Sequence, residues 1–386
     1  MTADLPADWQ IDERVEAEAR ALRHALHRAP ELSNHEVETA RMIAHHLAPL
    51  NPTRLLTGLG GTGVAAEFGR GDRALMIRCE LDALPILETG TPAYRSETAG
   101  VAHSCGHDGH MAILYAVAQC LSRRPPDTRV ILLFQPAEES GDGARDVIAD
   151  PRFADLRASM AVSLHNLPKI PLGSVSLQPG PVNCASRGVK IVLTGRTSHS
   201  SQPQNGRSPG SALVALIPAL EALTNNVATD APGFRLTTVT HAVLGEQAFG
   251  ISPGRAEVWV TLRTLLDDDM AALEGEARAL VANLAGVFAP EITIHEPFGH
   301  CINDEQATAL LDRACAPLPR VSEGLPMRAS EDFGLFGHHM PSAMLFLGSG
   351  EDHPELHNPD YDFPDALIPV GAGIFLRAIK EFAGNA

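Results

Sequence analysis

Three short apolar runs, Ala74 to Cys79, Arg129 to Phe134 and Met160 to Leu164, are each followed at once by side chains that can hold a metal ion or move a proton. Runs of this length, bounded by turn residues and without alternation, read as strands buried on both faces. The first delivers Glu80-Leu81-Asp82-Ala83-Leu84-Pro85, the second Gln135-Pro136-Ala137-Glu138-Glu139, and the third His165-Asn166. Helical stretches separate them, so the expected fold class is α/β, with one mixed, mainly parallel sheet flanked by helices. Sheets of this kind collect their chemistry at the carboxyl ends of strands, which puts a site along that edge.

Between the first two runs stands His103-Ser104-Cys105-Gly106-His107-Asp108-Gly109-His110. Thiol and imidazole donors two residues apart, with a glycine between them to let the backbone turn, suit a late first-row divalent cation. Met111 to Leu121 then continues as an apolar run of helical length, so the cluster sits at the mouth of a buried helix that Asp108 could cap. Taken alone, Cys105-x-His107 is a short pattern. A Cys-His nucleophile pair stays open at this point, although a spacing of two cannot establish that the side chains face each other. Donors elsewhere favour metal: Glu138-Glu139, His165, and His357-Asn358-Pro359 near the end.

At 386 residues the chain is long for one core, and two domains are expected. A net charge of −17 argues against nucleic acid and anionic membrane surfaces as partners, since both require basic patches. No apolar run approaches the length of a membrane span, and Met1 to Gln10 lacks a signal pattern, so a cytoplasmic protein is expected. Six cysteines are scattered, mostly in apolar surroundings, as reduced core cysteines would be; only Cys105 has polar company.

In chain order, Ile11 to Arg28 reads as an amphipathic helix and Asn34 to Leu47 as a second, with His27, Pro30 and Glu31 as turn and cap residues between them. Gly58-Leu59-Gly60-Gly61-Thr62-Gly63 has the spacing of a dinucleotide fingerprint, with Asp82 downstream. The helix that fingerprint requires is missing, because Val64 to Phe68 reads as a strand and Gly69 to Asp72 as a hairpin turn. From Asn183 the pattern becomes β-α-β-β-α-β, the ferredoxin-like arrangement, in a self-contained unit of about 110 residues. The expected organisation is therefore a catalytic domain of residues 1–183 and 297–386, interrupted by an inserted domain of residues 184–296.

Taken together, the ordered motifs resemble the metallopeptidase family of aminoacylases and zinc carboxypeptidases, specifically its amidohydrolase branch of hippurate hydrolases and auxin-conjugate hydrolases. The resemblance runs from about Leu22 to the C-terminus. It rests on His27-x-x-Pro30-Glu31, Leu81-Asp82-Ala83-Leu84-Pro85, Cys105-Gly106-His107-Asp108-Gly109-His110, Pro136-Ala137-Glu138-Glu139, His165-Asn166, Ser198-His199, Ser330-Glu331-Asp332-Phe333 and His357-Asn358-Pro359.

The resemblance implies a zinc-exopeptidase-like fold and two divalent ions (zinc, manganese, cobalt or nickel) held by Cys105, His107, Glu139, His165 and His357. It makes Glu138 the general base, and five side chains serving two ions call for a bridging group between them. Asp82 is expected to support a ligand histidine. In this family the inserted domain forms a homodimer and offers a histidine, here His199, to the partner's site as an oxyanion donor. Arg263 is the expected partner of a substrate carboxylate, through its forked donors.

The implied reaction is cleavage of a small molecule, an N-acyl amino acid, into a carboxylic acid and an amino acid. A dipeptidase or carboxypeptidase with the same centre is the alternative within enzymes. From another class, a metal-stabilised binding protein whose chemistry has lapsed would have no use for Glu138 beside a ligand. Two positions depart from the branch. Glu80 stands where it usually has the first Asp of an Asp-x-Asp, and Gly250 stands where its substrate-binding Asn falls.

Overall fold

A computed structural model describes residues 5–322 and 324–384; Met1–Asp4, part of the N-terminal stretch read above, lies outside the described residues. The chain divides into two compact units, one of Met1–Val182, Ile302–Leu325 and Asp332–Ala386, the other of Asn183–Cys301 and Pro326–Glu331.

The first unit is built on an eight-stranded sheet. Its order is Arg54–Leu59, Gly63–Phe68, Arg129–Gln135, Ala74–Glu80, Met160–Pro168, Ser342–Gly350, Val175–Ser176 and Arg320–Val321. The four strands from Arg129–Gln135 to Ser342–Gly350 run parallel. Every residue of Ala74–Glu80 and Met160–Pro168 is buried, which is why their sequences are continuous apolar runs and not alternating ones. The mixed, mainly parallel sheet expected from the sequence is the one observed.

Helix His107–Arg123 packs on the Ala74 strand and against helices Glu13–Arg28 and Leu367–Gly384. Its Ile113, Leu114, Val117 and Leu121 are all but inaccessible to solvent, each contributing roughly 1.5–3 kcal/mol of burial. The site-bearing end of this helix is thus fixed by the core of the unit.

Three local expectations are corrected. Asp108 is not the N-cap residue, because His107 is already the first residue of the helix and Gly106, at φ 93°, is the cap; from within the first turn its Oδ1 takes the Gly109 N–H at 2.9 Å, while Oδ2 accepts from Arg23 and His27. His27 is a buried helix residue and not a turn, while Glu31 does cap, taking the Thr39 N–H at 2.8 Å and its hydroxyl at 2.9 Å. Gly69 to Asp72 makes no hairpin. The Arg129 strand inserts between Gly63–Phe68 and Ala74–Glu80, since both apolar partners need a neighbour on each side. The hairpin lies one strand earlier, between Arg54–Leu59 and Gly63–Phe68, where Gly60 and Gly61 supply φ values of 61° and 113°.

The second unit has a four-stranded antiparallel sheet in the order Arg235–Leu244, Arg255–Thr264, Ala185–Thr194, Glu291–Phe298. Helices Gly210–Glu221 and Asp267–Leu284 complete the β-α-β-β-α-β chain order. Alternate strand residues Val189, Ile191, Leu193, Val258, Val260 and Leu262 form its core with Leu216, Leu220, Met270 and Leu273 of the helices. The opposite strand face carries Lys190, Glu257 and Trp259, which pair with one another.

Candidate metal centre

Six of the residues singled out in the sequence come together at the carboxyl ends of the parallel strands. The ligand atoms of Cys105, His107 and His165 lie within 4.8 Å of one another, as do those of Cys105, Glu139 and His357, and those of His107, Glu138 and Glu139. The three groups overlap, and Cys105 belongs to the first two. Its Sγ is 3.4 Å from His165 Nε2, and His357 Nε2 is 3.5 Å from Glu139 Oε1.

Local chemistry explains why these residues meet. A Cβ on Gly106 would stand 2.2 Å from Asn166 Oδ1, so only glycine lets the Cys105 loop close onto the Met160 strand. His357 is distant in sequence, but its N–H donates to Ser104 O at 2.8 Å, tying it to the residue beside Cys105. Ala137, at φ 52°, turns the chain sharply after the Arg129 strand and so presents Glu138 and Glu139. For a residue with a Cβ that conformation costs about 1–2 kcal/mol.

Second partners set the direction of each imidazole. His165 Nδ1 donates to Asn166 O at 2.8 Å, which turns Nε2 to Cys105. His107 Nδ1 donates to Asp82 O at 2.9 Å, with Asp82 Oδ1 at 3.4 Å, leaving Nε2 facing Glu138 Oε2 at 3.9 Å. Asp82 Oδ2 takes the Ser33 hydroxyl at 2.7 Å and the Glu139 N–H at 2.9 Å. Asp82 therefore orients His107 through its backbone carbonyl and positions Glu139 by taking that residue's N–H on its side chain. Glu80 lies behind this layer, with Oε2 2.6 Å from His110 Nδ1 and Oε1 on Arg78.

Electrostatically the site calls for positive charge. Burial pushes the Cys105 thiol well above its ordinary pKa, and Glu139 and Glu138 push it further. Burial opposes a charge on His107, but Asp82, Glu80 and Glu139 outweigh it and raise the group to about 10. His165 is pushed down to about 3 by burial and by His110, and burial lowers His357. His107 Nε2 is buried and has no hydrogen-bond partner among the described residues. A thiol that burial keeps protonated, beside crowded carboxylates and an orphaned imidazole nitrogen, fits divalent cations, which displace the protons of the thiol and of Nε2 and take their lone pairs. The mix of thiolate, imidazole and carboxylate suits zinc and its neighbours.

His199 and Arg263 belong to the second unit. His199 is exposed on the short strand Ser198–His199, paired with Ile251–Ser252. Its Nδ1 lies 2.7 Å from the Ser201 hydroxyl and 3.2 Å from the Ser201 N–H. Arg263 donates through Nη1 to Arg328 O and Ser330 Oγ, both at 2.9 Å, and has no carboxylate partner among the described residues. Gly250 sits in the loop beside His199, where its carbonyl accepts from Ser200 N–H.

Residues 76–381 match the model of peptidase family M20/M25/M40. The chain belongs to this family. It is a metal-dependent amidohydrolase, as its sequence motifs led us to expect. Within M20, it is 31% identical to the N-acetyl-L-cysteine deacetylase of Bacillus subtilis, over 94% of this chain and 87% of that one. It is 28% identical to the hippurate hydrolase of Campylobacter jejuni, over 95% and 97%. Among solved structures it resembles the YXEP protein of Bacillus subtilis, a dinuclear metal binding peptidase of the M20 family, with a TM-score of 0.79 and 25% identity over 97% of this chain and 100% of that one.

Two residues that hold the M20 site from behind were given no role by the sequence: Asp332, quoted only as part of a motif, and Glu36, which was not singled out. Buried Asp332 takes the Arg78 guanidinium, the Gln135 amide and the Ala144 N–H. Buried Glu36 takes the N–H of Ala137. The one signal available was the presence of charged residues inside otherwise apolar or helix-forming stretches, as at Arg78.

Proposed function

We propose that the protein hydrolyses N-acyl amino acids to a carboxylic acid and an amino acid, using two divalent ions held by Cys105, His107, Glu139, His165 and His357. The observation that carries this reading is the overlap of the donor triads, with Cys105 common to two of them. Bound there, such ions polarise a carbonyl and lower the pKa of water. Glu138 is the general base. It is 5% exposed and reaches toward His107 Nε2, where it can take the proton of a water and return it to the leaving amine. Asp82 keeps His107 and the Glu139 backbone in register while it does so.

Arg263 is assigned to the substrate's carboxylate, and His199 to the oxyanion that forms at its scissile carbonyl. Burial lowers the pKa of the Arg263 guanidinium, and its remaining donors suit a carboxylate. His199 of the partner subunit donates its N–H to the oxyanion, which requires a homodimer. Val214, Val243 and Leu244, all exposed, lie on one helix and on the outer strand Arg235–Leu244, whose free edge can pair with a second copy. All six cysteines are buried and none is in a disulfide, which suits a reducing, cytoplasmic setting. No helix among the described residues is long and apolar enough to cross a membrane.

Turnover of a panel of N-acetyl, N-benzoyl and indole-acetyl amino acids, beside dipeptides, tests the assignment. At least one N-acyl amino acid is expected to be cleaved, and Glu138→Gln is expected to keep its metal while losing about a hundred- to ten-thousand-fold in rate. Cleavage of dipeptides alone would make the protein a peptidase instead.

A further inference from the structure

We propose that Glu36 is a positioning residue that aims the Glu138 carboxylate by fixing the Ala137 peptide; the inference rests on Glu138 being the general base. Glu36 is 0% exposed, and three donors converge on it. Oε1 accepts from Asn34 N–H at 2.9 Å and from Ala137 N–H at 2.7 Å, and Oε2 accepts from Thr62 Oγ1 at 2.9 Å. A buried carboxylate that receives three hydrogen bonds is anchored, and it anchors its donors in turn.

The donor that matters is Ala137. A non-glycine residue with a φ of 52° persists only where its surroundings over-determine it, and such strain clusters at functional sites. Here the constraint is visible on both sides of Glu138. Glu36 holds the N–H of the residue before it, and Asp82 holds the N–H of the residue after it at 2.9 Å. The Ala137 carbonyl is held too, by the Gly143 N–H at 3.0 Å. Glu138 therefore sits on a short span of backbone clamped by two buried carboxylates. Asp82 also orients a ligand histidine, whereas the hydrogen bonds of Glu36 go to Asn34, Thr62 and Ala137.

This assigns a role to the glycine-rich stretch that resembles a nucleotide fingerprint in sequence. Gly60 and Gly61 let the hairpin turn tightly. A Cβ on Gly60 would lie 2.6 Å from Val147 N, so the turn fits closely against the helix that follows the Glu138 loop. The turn thus delivers the Thr62 hydroxyl to Glu36.

The test compares Glu36→Ala, Glu36→Gln and Glu138→Gln for steady-state kinetics on a cleaved N-acyl amino acid and for metal content. Glu36→Ala is expected to lower kcat about 10- to 100-fold, with KM within about threefold of wild type and two ions still bound. Glu36→Gln is expected to recover most of that loss. Its carbonyl can accept from Asn34 and Ala137, and its amide can donate to the Thr62 hydroxyl, which reverses its role. If the alanine variant does not fold, Glu36→Asp, too short to reach all three donors, is expected to show the same loss of kcat.

Unchanged kcat in Glu36→Ala or Glu36→Asp beside an inactive Glu138→Gln would overturn the inference while sparing the general base. So would a glutamine variant as poor as the alanine one, or loss of metal from either Glu36 variant. An active Glu138→Gln would instead remove the reading on which the inference stands.

Discussion

A neutral imidazole has one N–H, and at His199 the neighbouring serine decides where it goes. The Ser201 N–H and hydroxyl both address Nδ1, so the proton resides on Nε2, which is left as an exposed donor. A donor of this kind aimed at a developing oxyanion is worth about 3 kcal/mol in the transition state. If it acts across the dimer, His199→Ala and Glu138→Gln homodimers should each be nearly inactive. Subunit exchange between them should restore activity, because one site of the mixed dimer then combines an intact Glu138 with an intact His199 from its neighbour. Mixed dimers seen by mass spectrometry without returning activity would exclude action in trans.

At this scale the sequence was readable where donors are neighbours, as in Cys105-Gly106-His107, and where a strand end announces them. It was unreadable where a partner comes from far away. Nothing local shows that His27 bonds Asp108, or that Glu36 bonds Ala137.

Between elements, a buried polar tie joins helix Glu13–Arg28 to helix His107–Arg123 and to the segment after His357. Arg23 is fully buried among Asp108, at 2.8 Å, Asp362, and Asp365, at 3.2 Å. His27 lies 2.8 Å from the same Asp108 oxygen and 3.3 Å from Glu88. Burial disfavours the charges on Asp108 and His27. Even so, Arg23 and His27 hold Asp108 well below the usual carboxylate range, and Asp108 raises His27.

The signs of the two shifts differ. Asp108 is depressed in the folded state, so its contribution is complete above about pH 4 and declines as the pH falls below that. His27 is raised, so its contribution is complete below about pH 6.5 and is lost as the pH rises through its folded value. Asp108→Asn should cost about 1–3 kcal/mol, because it takes from Arg23 and His27 their one fully buried carboxylate while Asp362 and Asp365 still face Arg23. In urea melts with excess chelator, the gap between wild type and variant should be largest between those limits and shrink on either side. A gap constant from pH 4 to pH 9 would contradict the assignment.

Strand identity was legible because burial on both faces leaves an unmistakable apolar run. Strand order was not, because the Gly69 to Asp72 turn looks the same whether the next strand pairs beside it or one place further on.

For the whole molecule, the sequence supported an α/β unit interrupted by a β-α-β-β-α-β unit, and the family match supports a hydrolase. The net charge of −17 says nothing of the chemistry, which lies among ligand atoms within 4.8 Å of one another around Cys105. Glu80, the departure from the branch pattern, is accommodated between Arg78 and His110 without entering the triads that share Cys105.

The proposed hydrolytic centre holds two ions. It is tested most directly by elemental analysis of the protein, with activity followed as zinc, manganese, cobalt or nickel is returned to chelated enzyme. Two ions per chain are expected, with activity completed only by the second equivalent, and with both weakened by Cys105→Ser because that residue is common to two donor groups. One ion per chain at full activity, or full activity after exhaustive chelation, would contradict it.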